Sequence, residues 1–140
     1  MKHVPALNKN DVKEASRKAF AAIPDLKLAI TNLIVLKGIC HATASAVLAV
    51  YAPDVAPFMS DEAMISALGN ARGYTLKRYL VLVKMFHNKT KELTEYHIEH
   101  ASTAKDLDWS AWNFEKAIWA SFVQFKSSND VAKIKSNAGI

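Results

Sequence analysis

The chain has 140 residues, of which 51% are hydrophobic and 22% charged, and its formal net charge is +5. This length suits one domain with a real hydrophobic core, and the composition argues against general disorder. The single cysteine excludes an internal disulfide and a multi-cysteine metal site, while the positive charge favours polyanionic partners such as nucleic acid or anionic lipid.

Targeting signals are missing from the sequence. The N-terminal residues have no hydrophobic signal core, and no apolar run is long enough to cross a bilayer. We therefore expect an intracellular protein, nuclear or cytoplasmic, with no membrane partner. Residues 1–125 are expected to form one helical domain, and the polar residues 126–140 a flexible C-terminal tail.

Helical spacing of apolar residues runs through almost the whole sequence, which predicts an all-α fold. The first predicted helix runs from about Asn10 to Ile23, capped by Asn8 or Asn10. Pro24 is predicted in the first turn of a second helix, which Gly38 ends. This second helix is expected to bury most of its apolar residues, which are Leu28, Ile30, Leu33, Ile34 and Leu36.

Helix breaks divide the middle of the chain. A third helix is predicted from His41 to Tyr51, and its many alanines permit close approach of another helix. The prolines in residues 52–58 then prevent its continuation. Ser60 is predicted to cap a fourth helix that begins at Asp61.

The second half of the chain is predicted to contain three helices after a break between Gly69 and Gly73. They cover residues 74–87, residues 90–102 and a segment that opens at residue 108 or 110. The final helix is expected to bury a set of mostly large apolar residues, which are Trp112, Ala117, Ile118, Trp119, Phe122 and Val123. Trp109 is expected to be an anchor in the core or at its edge.

A glycine turn between two helices carries the clearest motif, in the sequence LKGICHATASAVL. This segment resembles the helix-hairpin-helix motif of DNA repair proteins, which we assign to residues 28–51. The matching residues are Leu36, Gly38, Ile39, Thr43 and Ala44. The resemblance implies that backbone N–H groups at the start of the third helix hold a phosphate oxygen without reading a base.

The chain departs from this motif at two positions. Lys37 replaces a proline that is common there, and it adds a cation near the phosphate. Cys40 replaces the second glycine, so it would be strained if that position requires a positive φ. The alternative interpretation is an ordinary pair of antiparallel helices capped by Gly38.

Asp61 extends the resemblance to the helix-hairpin-helix DNA glycosylase superfamily. In that family the catalytic aspartate follows the hairpin glycine by about two dozen residues and begins a helix after a proline-containing connection. Asp61 follows Gly38 in this way, and the resemblance covers residues 28–69. It implies that Asp61 stabilises the positive charge that develops on the sugar and activates a water. Alternatively, Asp61 is an ordinary acidic residue in a first helical turn.

Two features point to a reduced member of this family. Ala42 stands where strand-cutting members carry a lysine, so lyase chemistry by that route is not expected. Few residues precede the motif, whereas glycosylases usually have additional helices there that complete the base pocket. Base cleavage without lyase activity therefore stays open only as a third hypothesis.

Basic residues accumulate without intervening acids between Glu62 and Glu92. If the long helix lies beside the hairpin, they form one basic face that follows a phosphate backbone; otherwise they are a solvated stripe. The candidate DNA-binding residues are Lys37, Gly38, Ile39, Cys40, His41, Thr43, Lys77, Arg78 and Lys84.

Three hypotheses about function result. The first is a non-enzymatic module that grips duplex DNA, and the second is a protein-interaction or structural remnant of the glycosylase fold. The third is a monofunctional glycosylase that uses Asp61. His97 and His100, near Glu92 or Glu95, have a spacing that also occurs in metal sites, but we interpret them as surface residues and expect no metal or cofactor.

Overall fold

The computed structural model describes residues 7–70, 72–100, 113, 116–118 and 120, except for the side chains of 97–100. Its helices are α1 (Lys9–Ala21), α2 (Leu26–Ile34), α3 (His41–Tyr51), α4 (Asp61–Leu68) and α5 (Leu76–His100). These described residues contain no strand, which confirms the all-α class. Among them, no helix combines the length and the apolar character needed to cross a bilayer.

Side-chain caps fix where the first two helices begin. The Asn8 side chain accepts the Asn10 N–H at 3.0 Å, so α1 starts one residue earlier than expected. The Asp25 carboxylate accepts the Leu28 N–H at 3.0 Å and caps α2. The prediction that Pro24 lies in the first turn of α2 is therefore wrong. Pro24 precedes the N-cap residue Asp25 and so lies outside the helix.

The end and the exposed face of α2 also differ from expectation. The helix ends at Ile34, four residues before Gly38. Its buried residues, Leu26, Ala29, Ile30 and Leu33, follow the spacing of one helical face. Of the five residues expected to be mostly buried, Ile30, Leu33 and Leu36 are buried, whereas Leu28 lies off that face and is 50% exposed.

One long helix replaces the two predicted for residues 74–102. No glycine or proline interrupts α5, and the hydroxyl of Thr90 donates to the His87 carbonyl at 3.0 Å within the helix. Lys89 and Glu92 also pair across one turn at 2.7 Å. The polar residues at 88–90 therefore lie on the helix surface and do not break it.

The core forms around α2, which packs against α1, α3 and α5, while α4 packs against α5. Its largest fully buried side chains come from four of the helices and the segment before α4; they are Ile30, Leu48, Met59, Met64, Tyr79, Leu82 and Phe86. Ile118 also packs against this core. Ala117 beside it is exposed, so the prediction that it is buried is wrong. Most of the last predicted helix, its three tryptophans and the tail 126–140 lie outside the described residues.

Candidate nucleic-acid interface

The turn between α2 and α3, residues 35–40, is called the hairpin turn below. Within it the Ile39 N–H donates to the Leu36 carbonyl at 3.0 Å, and Gly38 has φ +89°. A glycine of positive φ before the donor residue is the mark of a type II β-turn. Lys37 then occupies the position at which such turns favour proline, which explains why proline is common there.

Apolar residues on both sides anchor the hairpin turn to the core. Leu36 is buried, and Ile39 is half-buried against the core cluster. Lys37 and Gly38, between them, are exposed. A Cβ at Gly38 would meet no atom within 4 Å, so backbone conformation alone selects glycine there.

Cys40 adopts an ordinary extended conformation, with φ −95° and ψ 173°. The strain considered for this position is therefore absent, because the residue before α3 does not need a positive φ. Its Sγ lies 3.3 Å from the Thr43 Oγ1. Hydrogen bonds from the Thr43 hydroxyl and backbone N–H stabilise the thiolate and lower the pKa of the Cys40 thiol below its ordinary value.

Several amides at the hairpin turn lack a backbone acceptor. The first N–H group of α3 with a backbone acceptor is that of Ala44, which donates to the Cys40 carbonyl at 2.9 Å. Among the described residues, no backbone acceptor faces the N–H groups of Gly38, Cys40, His41 and Ala42. These residues are exposed or half-buried. The Cys40 sulfur accepts from the Ala42 and Cys40 N–H groups, and water or an anion can satisfy those of Gly38 and His41, as at other helix N-termini.

A buried serine ties the start of α3 to the segment before α4. Ser45 is fully buried, and its hydroxyl donates to the Ala42 carbonyl at 2.7 Å. The same oxygen accepts the Met59 N–H at 3.0 Å. Since Met59 directly precedes the Ser60 cap, this contact brings the N-termini of α3 and α4 to one end of the molecule.

Asp61 is an exposed residue in the first turn of α4, where the Ser60 hydroxyl accepts the Ala63 N–H at 3.1 Å as predicted. Its carboxylate accepts a hydrogen bond from the Tyr74 hydroxyl. This bond is the largest cause of a raised Tyr74 pKa, and negative charge on Cys40 also contributes. Tyr74 thus lies within electrostatic range of both Asp61 and Cys40.

The predicted basic residues of α5 divide into two kinds. Lys77 and Lys84 are exposed and lie seven residues apart, opposite the buried face of the helix. Arg78 is half-buried, and its guanidinium donates to the backbone carbonyl and side chain of Asn70 at 2.8 and 2.9 Å. Arg78 therefore anchors the connection between α4 and α5, and this use was expected neither from a DNA-binding face nor from a solvated stripe.

Sequence reasoning missed Ser45 and Tyr74. Ser45 is the one polar residue on the buried face of α3, and a serine there signals a specific hydrogen bond. Tyr74 gave no such signal, because its partner Asp61 lies 13 positions away along the chain. Only the packing of α4 against α5 brings the two together.

The grooves on the described part of the molecule include one that borders the hairpin turn at Lys37 and one that lies away from it. A groove of about 580 Å³ separates α1 from the end of α2, and another of about 470 Å³ lies between α4 and α5. Asp61 lines neither of them. Glu92 and Glu95, considered beside His97 and His100, each pair with a lysine instead, while both histidine side chains lie outside the described residues.

Comparisons of the chain with protein-family models, with curated protein sequences and with solved structures returned no match. The resemblance to the helix-hairpin-helix glycosylases therefore depends on the residues quoted above.

Proposed function

We propose that this protein binds the phosphate backbone of duplex DNA through a helix-hairpin-helix element at residues 28–51, without catalysing a reaction. The observation that carries the proposal is the group of amides at Gly38, Cys40, His41 and Ala42, which have no backbone acceptor among the described residues. A phosphate oxygen is the acceptor that such a turn and helix N-terminus suit best.

Charge around the hairpin turn supports the same partner. Lys37 is exposed at the turn, and the chain carries no acidic residue between Asp25 and Asp54. Lys77, at the start of α5, is three residues from Tyr74, which itself lies within electrostatic range of Cys40. These cations add the non-specific attraction that dominates binding to a phosphate backbone.

Nearby carboxylates oppose a phosphate at this place: Asp61 and Glu62 lie within electrostatic range of Tyr74, and the groove beside Lys37 is lined by acidic residues of α1, Asp11 and Glu14. At Asp61 the hydrogen bond from Tyr74 partly offsets that objection, because the hydroxyl donates to the negative charge. Binding to the amides alone reads no base, so we expect similar affinities for unrelated duplex sequences.

A titration of labelled duplex DNA at two salt concentrations tests the proposal. We expect micromolar affinity that falls steeply as salt increases, and weaker binding of Lys37→Glu at every sequence tested. Lys27→Glu is the matched control, because Lys27 is equally exposed but lies at the other end of α2. Absence of binding at low salt, or equal loss in both variants, would contradict the proposal and favour a remnant fold without DNA contact.

The position of Asp61 keeps base cleavage as a second candidate. Its carboxylate accepts a hydrogen bond from Tyr74, which lies within electrostatic range of Cys40 in the hairpin turn, and a catalytic carboxylate would be held in a similar way. Incubation with oligonucleotides that contain damaged bases tests this candidate. It predicts abasic sites from the wild-type protein and none from Asp61→Asn, whereas our main proposal predicts none from either.

A further inference from the structure

Helices α1 and α3 flank α2 and extend from the same end of the molecule. The start of α1, at Leu7 and Asn8, shares a groove with Lys37 of the hairpin turn. At the other end, the rings of Phe20 in α1 and Tyr51 in α3 stack with centroids 3.9 Å apart. Both helices therefore run from the hairpin turn to this aromatic stack, and their outer residues form one surface.

A basic row lies along α1. Lys9, Lys13 and Arg17 are all exposed, and their four-residue spacing places them on one side of the helix. None of the three forms an ion pair among the described residues, whereas Lys18 pairs with Glu14 at 2.6 Å. Lys9 and Lys13 therefore offer positive charge without an ion pair in the described part of the chain, whereas the Arg17 guanidinium lies within electrostatic range of Glu14.

A row of exposed apolar residues lies along α3. Val47 is 39% exposed, Val50 80% and Tyr51 56%, although the opposite side of α3 is buried in the core. Tyr51 joins the two rows through its stack with Phe20, which lies on the same side of α1 as Lys9 and Lys13. Clustered exposed apolar residues beside unpaired cations are typical of a binding surface.

We infer that this α1–α3 surface, formed by Lys9, Lys13, Arg17, Val47, Val50 and Tyr51, binds an acidic amphipathic helix of a partner protein. Charge complementarity argues for the acidic side chains, and the valines argue for an apolar stripe beside them. The 11 residues of α3 span about 16 Å, which matches three turns of a bound helix.

The apolar row favours a protein over the other polyanions. Exposed valines gain little from a phosphate backbone, which is contacted by polar and charged groups. An anionic membrane surface is usually bound through larger apolar residues such as leucine, phenylalanine and tryptophan. The inference is independent of DNA binding, because it concerns residues outside the hairpin turn and uses a different probe.

A designed peptide tests the inference with the full-length protein. The probe is a labelled 16-residue helical peptide with glutamates on one face and leucines at positions i, i+3 and i+7 of the other. We expect saturable binding in fluorescence anisotropy at micromolar concentration, and at least tenfold weaker binding of the same peptide with lysines in place of the glutamates.

Matched variants locate the binding site. Lys13→Glu and Val50→Asp should each weaken binding at least tenfold, while Lys84→Glu and Val81→Asp on α5 should leave it unchanged. Both control residues are exposed, Val81 to 43%. Circular dichroism checks that each variant folds, and Val50→Ser replaces Val50→Asp if the charge prevents folding.

Three results would overturn the inference. One is no saturable binding of the acidic peptide, and a second is equal weakening by the α1–α3 and α5 variants. The third is that the peptide does not bind, while Lys13→Glu weakens binding to duplex DNA or to phosphatidylserine vesicles tenfold. That pattern would assign the surface to a nucleic acid or to a lipid.

Discussion

The buried hydroxyl of Ser45 accepts the backbone N–H of Met59 at 3.0 Å. This contact joins α3 to the residues that lead into α4, and it fixes the distance between the hairpin turn and Asp61. Together with the core residues of α3 and α4, this bond supports the relative placement of the two elements.

Removal of this acceptor should destabilise the fold. Ser45→Ala leaves the buried Met59 N–H without its partner, and we expect a loss of about 1–3 kcal/mol in the free energy of unfolding. Urea denaturation followed by circular dichroism measures the loss. Ser66→Ala is the control, because Ser66 is exposed on α4 and its loss should stay within about 0.5 kcal/mol. Equal stability of the two variants would show that the Ser45 bond contributes little.

Gly38→Ala should strain the hairpin turn without a steric clash. At φ +89° an added Cβ costs about 1–2 kcal/mol, although no atom lies within 4 Å of it. Gly69→Ala is matched, with φ +76° and the same open surroundings. We expect similar losses in urea denaturation but weaker DNA binding only for Gly38→Ala. Equal DNA affinities would argue against a role for the hairpin turn.

Cys40 should react with iodoacetamide at lower pH than an ordinary thiol. The Thr43 hydroxyl and N–H favour the thiolate, so the pKa in the folded protein lies below that in the unfolded chain. Alkylation rate against pH measures it. Thr43→Val should move the profile to higher pH, while Thr43→Ser, which keeps the hydroxyl, should not. If the wild type and both variants gave the same profile, the Thr43 hydroxyl would not be the cause of the lowered Cys40 pKa.

Tyr74 should titrate above the ordinary pKa of a phenol. Its hydrogen bond to Asp61 and the neighbouring negative charges disfavour the phenolate. The contribution to stability is therefore present below the ordinary pKa and is lost as pH rises through the raised value. Asp61→Asn should lower the pKa of Tyr74 in ultraviolet titration, with Tyr74→Phe identifying its signal. An unchanged pKa would contradict the Asp61 contact.

Local signals in the sequence predicted much of the fold. The capping residues Asn8 and Ser60 and the ends of α3 were predicted because they depend on neighbouring residues. Pro24 misled the prediction of α2, since both proline and aspartate suit a helix start and only the structure shows that Asp25 is the cap. The continuity of α5 was missed because polar residues 88–90 resemble a loop when their helical ion pairs are not considered.

The candidate site was less accessible from sequence. Glycine readily adopts a positive φ, so the conformation of Gly38 could be expected from its residue type. The extended conformation of Cys40 could not, because it requires knowing that Cys40 is the residue directly before α3. Two hydrogen bonds of the site join residues well separated along the chain. Tyr74 donates to Asp61, and Arg78 donates to Asn70. No local pattern encodes them.

Amide chemical shifts during a DNA titration test the central claim most directly. We predict that in ¹⁵N-labelled protein at low salt, the largest shifts belong to the N–H groups of Gly38, Cys40, His41 and Ala42, and that added salt reverses them. Shifts confined to other residues, or none at these four amides while DNA is bound, would contradict a phosphate-binding hairpin.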